Sequence, residues 1–182
     1  MNTSGIKKYT CHFYFFASML LTLYSQNICA QQKRDFLNLP KEYHFSVKKD
    51  ITEKQVALIS YEATDPQTKQ RPFEIMVTVI MDDAVIKKSM DEQIQSIFQK
   101  IKTDVPAAVL TTVKEEKNNK KLYTITDKTE NDSHSILILM QKNTEAFFMI
   151  EMETTQAELK KVSMKRWEDI FWNADYNSLD LK

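Results

Sequence analysis

Residues 136–140 read ILILM, five apolar side chains in succession. A strand sends successive side chains to opposite faces, so such a run is comfortable only where both faces of a sheet are covered. The stretch therefore predicts a central strand with helices packed on either side. Working outward, AFFMIEME (146–153) reads as a strand joined to it by the short polar QKNTE (141–145), and KLYTIT (121–126) as a further strand preceded by the short polar KNNK (117–120), both connections suited to antiparallel hairpins. Ala108–Lys114 reads as a fourth strand of this group.

Upstream, FEIMVTVI (73–80) alternates Phe73, Ile75, Val77 and Val79 with Glu74, Met76, Thr78 and Ile80, a strand with one strongly apolar face. Tyr43–Val47 and Val56–Tyr61 read as a preceding pair, and the proline-bearing segment EATDPQTKQRP (62–72) as a connecting loop. Ser89-Met90-Asp91-Glu92 is a capping box, in which Ser89 covers a free amide and Glu92 reaches back. Met90, Ile94, Ile97, Phe98 and Ile101 follow at helical spacing, and Pro106 marks the exit. Thr155-Gln156-Ala157-Glu158 is a second capping box, expected to open one terminal helix with Leu159, Trp167, Ile170, Phe171 and Ala174 on a shared side. The predicted fold is α+β: an antiparallel sheet of about seven strands flanked by helices, in the order βββ-α-ββββ-α.

The N-terminus reads as an export signal. Lys7 and Lys8 precede an apolar run, Phe13–Leu23, of about eleven residues. That length suits a signal peptide and is too short for a membrane span, which needs roughly 20 apolar residues. Cutting after Ala30 is expected, giving a signal at 1–30, an arm at 31–41 anchored by Phe36, Leu37 and Leu39, and a single α/β domain at 42–182. Lipidation at Cys29 is the alternative, but Gln26, Asn27 and Ile28 do not match the residues a lipid signal places before its cysteine. The predicted location is the periplasm or the exterior.

Removing the signal leaves 23 basic residues against 25 acidic, a net charge of about −2, and no cysteine. A nucleic-acid partner would call for a basic stripe, which this balance does not supply. The only glycine, Gly5, also leaves with the signal. A phosphate-cradling loop, a dinucleotide fingerprint and a nucleophile elbow each need glycine where a side chain would clash. Left-handed turns must then fall to Asn or Asp, and Asn118, Asn119 and Asn143 stand where such turns are wanted.

The scattered polar residues make no familiar chemistry. His44 and His134 are the two mature histidines, with no HExxH spacing. Ser133 and Ser135 flank His134, but neighbours on a strand point to opposite faces, which is poor geometry for proton transfer. Asp127, Thr129 and Asn131 resemble the start of a calcium loop, yet Asp132 replaces the sixth-position glycine and Ile138 the twelfth-position Glu. Asp82-Asp83 reads as a helix cap. No enzyme, cofactor or metal is expected.

Trp172 stands apart. A single helix turning ~100° per residue from Leu159 puts Ile170, Ala174 and Trp167 between about 20° and 80°, with Trp172 near 220°. Trp172, with Tyr176 beyond it, is the candidate partner-binding pair, because exposed Trp anchors interfaces; the alternative is that the helix ends there and the indole folds back onto the sheet edge.

The element order, carried by YHFSV with QVALISY, FEIMVTVI before SMDEQIQSIFQKIK, and RWEDIFWNADYN, resembles the PsbP-like sandwich of the DcrB-like envelope proteins. That resemblance implies an antiparallel sheet between helices and a binding or assembly role, with no shared catalytic centre to carry over. The leading expectation is a non-catalytic envelope binding or assembly-accessory protein that contacts another envelope protein. An immunity or inhibitor protein against a toxin, and further behind it a small hydrolase, are the alternatives.

Overall fold

The computed structural model describes residues 36–117, 119–127, 134–174 and 176. The expected signal at 1–30 and the residues of the calcium-like segment from 128 to 133 lie outside them. The strands are β1 (His44–Glu53), β2 (Val56–Thr64), β3 (Glu74–Ile80), β4 (Val109–Glu116), β5 (Lys120–Thr126), β6 (His134–Lys142) and β7 (Phe147–Thr155). They form one antiparallel sheet in the order β1-β2-β3-β7-β6-β5-β4. Two meanders therefore meet at the β3–β7 pair, and the chain crosses from β3 to the far edge before β4 begins.

That crossing contains α1 (Asp83–Ile86) and α2 (Met90–Asp104). Asp82 caps α1, its Oδ1 accepting from the Ala84 amide at 2.7 Å. Ser89 and Glu92 form the anticipated capping box on α2, worth about 1 kcal/mol. The chain closes with α3 (Gln156–Leu159) and α4 (Met164–Trp172). The order is thus βββ-αα-ββββ-αα, with a helix pair in each place where one helix was expected.

The strand ILILM behaves as its composition demands. Ile136, Ile138 and Met140 join a core with Met90, Ile94, Phe98 and Ile101 of α2. Leu137 and Leu139 join the opposite core with Trp167 and Phe171 of α4. Phe73, Ile75, Val77 and Val79 are all buried in that second core, as their alternation requires. Phe36 and Leu37 are buried there too, the Phe36 ring lying 6.0 Å from that of Tyr61.

Two expectations need correction. The terminal helix is not continuous: α3 is a single turn, and Ser163 restarts the helix by accepting from the Arg166 amide. Between them Val162 drops into the core, and Lys161 pairs with Asp65 in the β2–β3 loop. A helical wheel drawn from Leu159 loses its phase across that break. Among the described residues the left-handed turns are also not built from asparagine. Among the described residues they fall on Lys54 (φ 45°), Lys69 (φ 59°) and Lys117 (φ 41°). Asn143 works by its side chain instead, Oδ1 accepting from the Glu145 and Ala146 amides at 2.8 Å each. Asn119 lacks a positive φ, and Asn118 lies outside the described residues.

Candidate functional site

Trp172 closes α4 beside the β4–β5 edge of the sheet. Counted from Trp167 within α4 alone, Phe171 falls at ~40° and Trp172 at ~140°. The indole thus sits on the flank of the helix, and it is half-buried against the α4-side core. Two lysines approach its ring, Lys114 of β4 at 5.7 Å and Lys120 of β5 at 5.0 Å from the centroid. Lys120 Nζ also donates to the Trp172 carbonyl at 2.6 Å, satisfying a carbonyl that the end of α4 would leave open. Burial pushes the Lys120 ammonium below its ordinary value, with Glu116 opposing the shift. Lys114 donates to Asp169 at 2.8 Å, and that hydrogen bond holds the Asp169 carboxyl below its usual range.

Tyr176 belongs to the core rather than to the surface of this corner. Its ring lies 4.8 Å from Phe148 and its hydroxyl is enclosed without a hydrogen-bond partner among the described residues. Desolvation raises its pKa far above the phenol range. The structure therefore brings Trp172 and Tyr176 to one corner, joined through Lys120, which lies 6.0 Å from the Tyr176 ring. Trp172 supplies the accessible part of that pair and the lysines supply its charge. The sequence pattern hid the lysines because they come from strands some fifty residues upstream.

Beside this corner runs the sheet edge β4. Val109 on that edge is 42% exposed, and a bulge between Thr112 and Lys114 breaks its regular pairing with β5. The opposite edge, β1, is likewise bulged between Val47 and Lys49. Bulges and lysines discourage strand-to-strand association at an edge, so contact at β4 would run through side chains.

On the other face, the register sets Tyr123, Ile138, Glu151, Met76 and Ser60 in one row across five strands. Glu151 Oε2 and Ser60 Oγ are enclosed there without hydrogen-bond partners among the described residues. Desolvation, aided by the nearby charge of Glu153, lifts the Glu151 carboxyl to about 7. His134 Nδ1 lies 3.5 Å from Glu153 Oε1 at the end of the same strands. His44 is exposed on the β1 edge, and Asp82 is engaged as a cap. Among the described residues no group of three or more His, Cys, Asp or Glu side chains is placed to hold a metal ion. Nor is any described helix long and apolar enough to cross a membrane. Glu151 escaped the sequence reading because two carboxylates, Glu151 and Glu153, in FFMIEMETT do not disturb the strand pattern.

No known protein-family model matches the chain, and no curated protein matches its sequence.

Proposed function

We propose that this chain is an exported, non-catalytic envelope protein that binds another protein through the β4 edge and the end of α4, in an assembly or accessory role. The observation that carries the reading is the Trp172 corner. A half-buried indole flanked by Lys114 and Lys120 offers apolar area with fixed positive charge beside it. Trp and flanking cations are well suited to anchoring an acidic or aromatic segment of a partner. A helix on each face of an antiparallel sheet supports the PsbP-like sandwich as the fold behind it. An inhibitor of a basic toxin would be better served by an acidic corner.

Site-specific photo-crosslinking in intact cells tests the proposal. A crosslinker at exposed Thr111 on β4 is expected to give a discrete envelope-protein adduct that weakens at least tenfold with Trp172→Ala. The same crosslinker at exposed Thr52 on β1 should give none. Equal yields from both edges, or an adduct indifferent to Trp172, would reject this surface.

A further inference from the structure

Behind Trp172 the α4-side face gathers polar groups from three elements. The register sets Lys120, Gln141 and Phe148 side by side on β5, β6 and β7. Strand alternation places Lys120 and Gln141 on the same face as Leu122 and Leu139, which lie in the α4-side core with Phe148. Tyr176 packs against that row, its ring 4.8 Å from Phe148 and 6.0 Å from Lys120 Nζ.

This cluster holds more hydrogen-bonding capacity than its own residues use. Gln141 Oε1 and the Tyr176 hydroxyl are both enclosed without a partner among the described residues. Enclosed polar atoms are normally bonded, because each has given up its water. The charge is unmatched as well. Lys114 has the Asp169 carboxylate, and Lys121, on the opposite face, has Asp91 and Glu115. Among the described residues the Lys120 ammonium meets only the neutral Trp172 carbonyl and the faces of Trp172 and Tyr176, with Glu116 acting through its charge alone. A partly buried ammonium without a carboxylate is half of an ion pair.

We infer that the Trp172 corner takes an acidic segment of its partner, with one Asp or Glu carboxylate seated on Lys120. The Tyr176 hydroxyl, which desolvation keeps protonated, donates to that carboxylate. Gln141 Oε1 accepts a backbone N–H of the same segment, and the indole supports the segment's apolar atoms. A basic or purely apolar segment would leave Lys120 unmatched. The inference rests on the reading of this corner as a protein-binding surface, and adds the chemistry of what it binds.

The adduct formed from a crosslinker at Thr111 tests the inference separately from the surface. Tyr176→Phe removes one oxygen that no described residue bonds. Its urea midpoint should equal or exceed the parent's, while the adduct falls about tenfold, as loss of a hydrogen bond to a carboxylate requires. Lys120→Arg keeps the charge and should retain most of the adduct, whereas Lys120→Gln should lose it. Lys120 lies opposite Glu116, five positions along β4 from Thr111. Mass spectrometry of the crosslinked partner peptide should therefore find Asp or Glu within roughly five residues of the attachment point. An adduct that Trp172→Ala removes, but that Tyr176→Phe and Lys120→Gln leave intact, would overturn the acidic occupant and spare the surface. A partner segment without Asp or Glu there would do the same. No adduct at all, or one indifferent to all three changes, would overturn both. A lowered midpoint for Tyr176→Phe would also count against the inference, since the hydroxyl would then serve the fold.

Discussion

Lys120 Nζ lies 5.0 Å from the ring centroid of Trp172 and donates to the carbonyl oxygen of the same residue at 2.6 Å. One side chain thus caps the end of α4 and lies against its terminal aromatic. Lys120→Met keeps most of the aliphatic stem and removes the donor. It should cost about 1–2 kcal/mol, the range for losing a charge-assisted hydrogen bond with some cation–π attraction. Urea melts measure it, and a loss below about 0.3 kcal/mol would mean that water replaces the cap without penalty.

Trp172→Ala should fall between a surface change and a core truncation. Half of the indole is packed on the core, so the expected loss is about 1–2 kcal/mol on an area basis. Binding through this corner should fall by more, at least ~2 kcal/mol. A melting loss of about 4 kcal/mol with partner adducts intact would make Trp172 a core residue and nothing else.

Phe98→Ala and Trp167→Ala strike the two cores separately. Phe98 belongs to the α2 side, and Trp167 packs edge-on to Phe73 at 5.4 Å and to Phe171 at 6.4 Å on the α4 side. Each should cost about 3–5 kcal/mol, as large-to-small core changes do. With no contact shared between them, the double variant should be close to additive. Denaturant midpoints for the two singles and the double check both statements.

The sheet was legible because burial on two faces writes itself into composition. ILILM demanded covering layers, and FEIMVTVI declared which of its sides was the more apolar. Ser89 and Glu92 announced α2 because a capping box is a local hydrogen-bond pattern. The closing helix was misread where the decisive contact is tertiary: Val162 leaves the helical path to reach the core, and no Pro or Gly flags the break. Neighbouring residues determined how far Trp172 is exposed, and Lys114 and Lys120 come from another hairpin. The turns were misassigned because residue preference is a weak force against chain closure: hairpin geometry imposed left-handed backbone on whichever residue stood there.

That imposition leaves room for improvement at Lys54, Lys69 and Lys117. A residue with a Cβ pays about 1 kcal/mol or more in the left-handed region, a cost glycine avoids. Glycine is also more flexible when unfolded, which returns part of the gain. Each Lys→Gly change should therefore stabilise by about 0.5 kcal/mol, and the triple variant should melt several degrees higher. A drop in melting temperature for any single change would show that the lysine side chain holds something the turn needs.

Glu151 gives the fold a pH dependence with a defined sign. Ile138 of β6 and Met76 of β3 flank it, Glu153 is the charge nearest it on its own strand, and His134 faces Glu153. Its folded-state pKa is raised from 4.5 to about 7. Below about pH 4.5 the carboxyl is protonated in both states, and the fold carries no penalty from it. Between those values the unfolded chain ionises first, so stability falls with rising pH, by up to about 3 kcal/mol once pH passes 7. Glu151→Gln is neutral throughout and escapes that slope. Relative to the parent it should gain little at pH 5 and most at pH 8, read from urea midpoints at both values. Other titrating groups are common to the two proteins and cancel in the difference. A gain that is the same at pH 5 and pH 8 would mean that Glu151 ionises freely, and that its enclosed oxygen finds water in solution.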